Sequence, residues 1–290
     1  MKDALRRWLP APVLSFARRL YYRPSVRKIV FFPADLLDRV RGTRREGIPP
    51  RSIAFVGDGD FEAIGEEFFR YFVDLCGLKP ADRVLDVGCG AGRMALPLAR
   101  YLGGGGSYDG FDLLEDHVKW CRENIEARHP NFRFVQADVR SPMYNPGGRF
   151  APSEYRFPYD DASFDFVFLT SVMTHLLAGA AERYLSEVAR VSRPGARSLI
   201  TWFLLDDEAE RRIREGTSRT RFEHDADGCR VVDAGVPESA VAYREEDVRR
   251  LYLRHGLEIA EPIRWGGWSG REPHLSSQDV VVAARRQAAP

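Results

Sequence analysis

From residue 83 onward, short apolar runs alternate with stretches whose apolar residues recur at helical spacing. Residues 83–88 (RVLDVG), 108–113, 132–137, 164–170 (FDFVFLT) and 197–205 (RSLITWFLL) read as strands. Each is a compact apolar run bounded by glycine, polar or turn residues, the mark of a buried strand. Residues 91–102, 115–128 and roughly 180–191 read as helices between them. A further helix is predicted over 245–255, then strands over 257–264 and 278–284 (QDVVVAA). Strands alternating with helices imply βαβ crossovers and a parallel sheet covered on both faces.

Two connections are too long to be simple turns. Residues 141–163 hold Pro142, Pro146, Pro152 and Pro158 among Tyr144, Phe150, Tyr155, Phe157 and Tyr159. Residues 206–244 are highly charged and open on DDEAERRIREG, which reads as a solvated helix. Loops beyond about 12–15 residues are usually functional or disordered. The aromatic one is therefore expected to be ordered and near a ligand, with Tyr144 and Tyr155 as candidate contacts.

The strongest chemical signal is VLDVGCGAG at 84–92, a strand running into Gly88, Gly90 and Gly92 before a helix. Glycines permit the sharp turn and let a ligand approach the backbone. No Gly-Lys-Ser/Thr follows, and the spacing is G-x-G-x-G, so a phosphate-cradling P-loop is not indicated. Asp86 precedes the loop. A carboxylate there repels a pyrophosphate and favours a ligand with an ammonium end. Asp112 ends the second strand, where an acidic side chain can accept from ribose hydroxyls. Asp138 follows the third strand and offers an acceptor for an exocyclic amine. A lone Asp after a strand is often a cap or turn residue. Three at successive strand ends point instead to the ligand-binding edge of an open α/β sheet.

On VLDVGCGAGR (84–93), GFDL (110–113), QADV (136–139), SFDFVFLTSVMTHL (163–176) and EVARVSRPGARSLI (187–200), the chain resembles the class I S-adenosylmethionine-dependent methyltransferases. Residues 70–205 carry the resemblance, with Pro-Gly-Ala at 194–196 where the family commonly has Pro-Gly-Gly. It implies a Rossmann-like α/β fold: a seven-stranded, mostly parallel sheet with an antiparallel last strand and helices on both faces. It also implies S-adenosyl-L-methionine as cofactor, held by Asp86, Gly88, Cys89, Gly90, Gly92, Arg93, Asp112, Leu113, Asp138, Val139 and Thr170. Within that set the glycines serve the methionine part, Asp112 the ribose, and Asp138 with Val139 the adenine.

Methyl transfer needs chiefly positioning and a dry site. A hydroxyl acceptor also benefits from a base within hydrogen-bond reach. His175, just beyond the fourth strand, is the candidate base; the alternative is a capping or packing histidine. The segment TSVMTHLLAGAA offers no carboxylate pair, so no metal is expected there. Trp268, Arg271 and His274, in WGGWSGREPH before the last strand, are either an acceptor-site wall or a packed lid. Tryptophan stacks on sugars and arginine pairs with anions. The first expectation is therefore O-methylation of a small-molecule or glycan acceptor, including a lipid-linked one. The alternative is N-methylation of a lipid or small amine. A nucleic-acid methyltransferase ranks lower, since no Asn/Asp-Pro-Pro-Tyr/Phe segment for a flipped base follows strand four. A non-catalytic cofactor-binding module also ranks lower.

Composition changes this picture in one respect. The 290 residues carry a net charge of only +1. Yet residues 1–45 hold 12 Lys and Arg against three Asp, leaving the remainder at −8. A basic arm on an acidic body is indicated, and an acidic body argues further against nucleic acid. Residues 1–50 thus form a basic, helical N-terminal extension, and 51–290 the methyltransferase domain, with 206–244 inserted as an acceptor-side cap. Pro10, Pro12, Pro24 and Pro33 are expected to divide the arm into short pieces. Val13, Leu14, Phe16, Ala17 and Leu20 recur at helical spacing, so the arm is either a docked lid or a segment in peripheral contact with an anionic membrane. Arginines interrupt it, which argues against a secretory signal. Four scattered cysteines, with no C-x-x-C pair, fit reduced thiols in the cytoplasm.

Overall fold

The computed structural model describes residues 24–42, 45, 47–54 and 59–287. Two helices precede the sheet, α1 (Pro24–Arg41) and α2 (Phe61–Asp74). Asp60 caps α2, its carboxylate accepting from the Ala63 amide at 2.7 Å. The predicted alternation then follows as β1 (Arg83–Val87), α3 (Ala95–Tyr101), β2 (Ser107–Asp112), α4 (Glu115–Cys121), β3 (Phe132–Gln136), β4 (Phe164–Leu169), α5 (Ala178–Val191) and β5 (Ser192–Trp202). Next come β6 (Leu204–Leu205), α6 (Asp207–Arg214), β7 (His224–Ala226), β8 (Cys229–Val231) and β9 (Val241–Arg244). The described chain closes with α7 (Glu245–Arg254), β10 (Leu257–Ile259) and β11 (Asp279–Arg285).

Seven strands form one sheet in the order β10-β11-β5-β4-β1-β2-β3. β1 to β5 are mutually parallel, and β11 runs antiparallel to both neighbours. This is the expected α/β architecture, antiparallel last strand included. Side chains of β1 alternate between two cores: Val84 joins one and Leu85 and Val87 the other. Phe68 and Phe72 of α2, Leu98 of α3 and Val118 of α4 cover the first face. Tyr184, Leu185 and Val188 of α5 and Tyr252 of α7 cover the second. Burial on both faces explains why these strands read as continuous apolar runs.

Four expectations need correction. The helix expected from residue 91 starts at Ala95, because the glycine loop is still turning through Gly92, whose φ is +82°. The strand expected over 257–264 stops at Ile259, ahead of Pro262, which cannot donate to a ladder. The 206–244 segment holds more than a solvated helix. It carries β7 to β9, which join β6 in a second sheet of order β6-β9-β8-β7. Strands of two to four residues are too short to show a period of two. Finally, Pro24 and Pro33 do not cut the arm into pieces. Pro24 opens α1, where its missing N–H is not needed, and Pro33 sits inside the helix, costing it one hydrogen bond. The apolar repeat at 13–20 lies outside the described residues.

Candidate active site

The strand order reverses direction between β1 and β4, and a cleft opens at their carboxyl ends. Such a switch point is where open α/β sheets bind ligands. One wall is the glycine loop. The amides of Gly88 and Cys89 donate to the Phe111 carbonyl at 2.9 and 3.0 Å, pinning the loop to the end of β2. Gly88 and Gly90 have φ of +80° and +52°, which side chains rarely adopt. A Cβ on Gly88 would lie 2.5 Å from the Val172 side chain, so the glycine also lets the loop after β4 close in.

Asp112 organises this wall. Its two carboxylate oxygens accept from the Gly90 and Leu114 amides, each at 2.9 Å. The carboxylate thus fixes the loop and keeps further lone pairs for a ligand. His117, on the first turns of α4, is buried with Nδ1 3.9 Å from Asp112, and its Nε2–H donates to the Ile53 carbonyl at 3.0 Å. Burial pulls this imidazole below the usual histidine value, Arg27 adds to the effect, and Asp112 opposes it.

Ser171, Val172 and His175 form the facing wall. Ser171 takes φ of +59°, held by its amide donating to Thr201 Oγ1 at 2.7 Å. His175 ends a short 3-10 turn, Met173–His175. Its Nδ1–H donates to the Glu238 carbonyl at 2.9 Å, and its ring meets Tyr144 edge-on at 6.3 Å. Burial lowers the His175 pKa, with the Glu238 and Ser239 carbonyls acting the other way. Burial also raises the carboxyl of Glu238, which lines the same cleft.

Gly88, Gly90, Asp112, Leu113, Val139, Tyr144, Thr170 and His175 are thus brought together around one cleft. Others stand apart. Asp86 lies under the glycine loop, fully buried, with Tyr108 Oη donating to it at 2.6 Å. Burial pushes its carboxyl up to about 8, against the pull of that hydrogen bond. Cys89 and Gly92 pack toward α4: a Cβ on Gly92 would sit 2.5 Å from Ile125 and 3.1 Å from Cys121 Sγ. Arg93 lies over the Phe61 ring, 5.2 Å from its centroid. Asp138 accepts from the Arg149 amide at 3.1 Å and pairs with its guanidinium, ordering the 141–150 loop. Tyr155 is buried in the core, edge-on to Phe111.

The tail residues do not line the cleft. Trp268 is buried against Phe203 and Phe222, and its Nε1–H donates to Asp279 at 2.8 Å. Arg271 pairs with Asp206 and Glu208 and lies over the Trp265 ring. His274 Nδ1 is 3.0 Å from the Arg271 carbonyl. Asp279, raised to about 6 by burial, holds the segment through the Leu204 and Gly266 amides. The arrangement is a packed lid on the inserted sheet.

Sequence reasoning missed His117, Ser171 and Glu238. His117 carried a faint signal, sitting five residues past Asp112 at the start of a predicted helix. Glu238 carried none, because the small sheet returns it from 63 residues beyond His175.

Residues 84–195 match the family model described as a methyltransferase domain. A fatty-acid O-methyltransferase from Mycolicibacterium smegmatis is 36% identical over 142 residues, 47% of this chain and 44% of that protein. A sterol 24-C-methyltransferase from Gibberella zeae is 30% identical over 169 residues, 52% of this chain and 39% of that protein. The chain spans less than half the length of either relative. Among solved structures, a SAM-dependent methyltransferase from Aquifex aeolicus superposes with a TM-score of 0.50 at 20% identity, over 82% of this chain and 99% of that one. Fold, motifs and family model together make this a class I S-adenosylmethionine-dependent methyltransferase fold, with S-adenosylmethionine as its cofactor.

The residues present fit that cofactor. Two Cβ-free positions edge the cleft, and Asp112 keeps acceptor capacity beside them. Asp86 Oδ1, buried under the loop, has no hydrogen-bond partner among the described residues. The Asp112 carboxylate at the cleft edge suits a ligand with a cationic end and repels a pyrophosphate, whereas Asp86, protonated below about pH 8, supports the loop from beneath.

Proposed function

We propose that this chain is an O-methyltransferase acting on a small, largely apolar molecule that carries a hydroxyl or carboxyl group. The observation that carries the reading is His175, half-buried, its imidazole held toward the neutral form by desolvation, in the same cleft as Gly88, Gly90 and Asp112. Bound S-adenosylmethionine supplies an electrophilic methyl group on a sulfonium. Gly88, Gly90 and Asp112 hold and orient it. His175 donates through Nδ1 to a backbone carbonyl, so Nε2 is the nitrogen left to accept the proton of a hydroxyl acceptor, whereas a carboxylate acceptor arrives already ionised and needs only positioning. Phe111, Leu113, Leu114, Val139 and Leu176 keep the site dry. Water exclusion sharpens the base and spares the methyl donor from hydrolysis.

The apolar lining favours a small-molecule acceptor over a glycan, since Trp268, Arg271 and His274 are engaged elsewhere. Relatives named for fatty acids and sterols support the same choice. N-methylation of an amine is the second reading, favoured by Glu238, an acidic residue among those lining the cleft. Residues 206–244 act as the acceptor-side cap in either case, since they deliver Glu238. The test is transfer of a labelled methyl group to panels of hydroxylated, carboxylated and amine-bearing apolar compounds. Label in the hydroxyl or carboxyl panels carries the first reading, and label confined to amines replaces it with the second.

A further inference from the structure

Helix α1 is turned inside out relative to an ordinary surface helix. Ile29, Val30, Phe32, Leu36, Leu37 and Val40 are 46% to 76% exposed. Together with exposed Pro33 they occupy one arc of about 160° around the helix axis, and the arc holds no charged residue. Asp35, Asp38 and Arg27 face the protein instead. Asp35 accepts from the Arg51 and Ser52 amides at 2.7 and 3.2 Å, Asp38 pairs with Arg51 at 2.9 Å, and Arg27 is buried. A helix docked on a soluble body normally buries its apolar stripe and exposes its charges.

Charge decides what covers this face. Exposed Arg39 and Arg41 stand just outside its two edges. Acidic residues of α1 are confined to the inner side, and residues 1–45 hold 12 Lys and Arg against three Asp. Among the described residues no helix is long and apolar enough to cross a membrane. An apolar face bordered by arginines suits a helix lying in the plane of a membrane interface, with the guanidinium groups reaching the headgroups.

We infer that the outer face of α1 docks on the surface of an anionic lipid bilayer. A second copy of the chain is disfavoured, because stacking two such faces brings the arginine edges of both copies together. The inner face ties the docked helix to the cleft. Asp35 holds the 51–52 turn, and the adjoining Ile53 carbonyl accepts from His117, which lines the cleft. The docking is read by binding alone, so it stands or falls separately from the methyl-transfer reading.

The test is co-sedimentation of the full-length chain with vesicles of mixed phosphatidylglycerol and phosphatidylcholine, and with phosphatidylcholine alone, at low and high salt. Binding is expected on the anionic vesicles, about tenfold weaker on neutral ones and weakened by salt. A triple variant, Phe32→Glu, Leu36→Glu and Val40→Glu, should lose anionic-vesicle binding by about tenfold or more. Its calorimetric affinity for S-adenosylmethionine should match the wild type, which reports a folded domain. Leu36→Glu alone, a change at one exposed side chain, should show a smaller loss in the same direction. Wild-type vesicle binding by the triple variant would overturn the inference, since the arm's charge alone would then suffice. So would a dimer by light scattering that the triple variant dissolves, with no vesicle binding by either protein.

Discussion

The two walls of the cleft differ in how the chain assembles them. The glycine-loop wall comes from β1, β2 and the start of α4, and its key bonds run between neighbouring strand ends: Gly88 to Phe111, Gly90 to Asp112, Leu114 to Asp112. The facing wall needs Tyr144 from one long loop, His175 from a turn after β4 and Glu238 from the inserted sheet. The first wall is made of backbone geometry that only a few residue types permit. The second is made of side chains that many residue types could supply. The glycine-loop wall, which we propose holds the cofactor, therefore leaves a dense motif, whereas the facing wall, proposed for the acceptor, leaves scattered residues with no fixed spacing.

Substitutions on the two walls should separate cleanly. The largest effect is expected at His175. His175→Ala should lower the methyl-transfer rate by about 10²–10⁴ with cofactor affinity unchanged. In the wild type the acid limb of the rate profile should fall below the usual histidine range, because burial lowers the His175 pKa and the neutral form works. A retained rate in His175→Ala would make the histidine a packing residue and the facing wall purely a matter of shape.

Trp268→Ala tests the tail, which shares its aromatic character with the 141–163 loop but not its position. Removing a buried tryptophan should cost about 3–5 kcal/mol in denaturant unfolding, while acceptor KM changes little. Tyr144→Ala should do the opposite, raising acceptor KM with little loss of stability. If Trp268→Ala raised KM and spared stability, the tail would belong to the acceptor wall after all.

Asp112→Ala removes two charge-assisted hydrogen bonds from the glycine-loop wall, each worth about 1.5–3 kcal/mol. Calorimetric affinity for S-adenosylmethionine should fall by about 100-fold or more. Unchanged affinity would remove Asp112 from cofactor recognition.

The last effect concerns Asp86 and is read as a pH slope rather than a rate or an affinity. Its carboxyl is held at about 8 in the folded chain, against 3.8 when exposed. Between those values the native state keeps a proton that the unfolded state has released. Native stability should therefore fall as pH rises through that window. Thermal unfolding from pH 5 to 8.5 should show this slope in the wild type and a flatter one in Asp86→Asn.

Much of the geometry of the glycine-loop wall was legible in the sequence, because positive-φ turns favour glycine. Asp86 and Asp138 show the boundary of that legibility. Each sits at a strand position where a ligand contact is plausible, yet Tyr108 reaches one and Arg149 the other. Neither partner can be named from spacing alone. Trp268 shows it again: an aromatic among glycines reads the same whether it faces a sugar or Phe222.

By itself the sequence determined the order of strands and helices over residues 83–202 and the glycine turns from Gly88 to Gly92. These rest on local periodicity and on backbone conformations that few residues can adopt. Tertiary structure alone decided that Glu238 meets His175, that Trp268 packs inside, and that α1 turns its apolar side outward. Each of these depends on which of two chemically possible surfaces a segment buries. That choice is made by partners beyond the segment itself, such as Arg51 for Asp35 and Phe203 for Trp268.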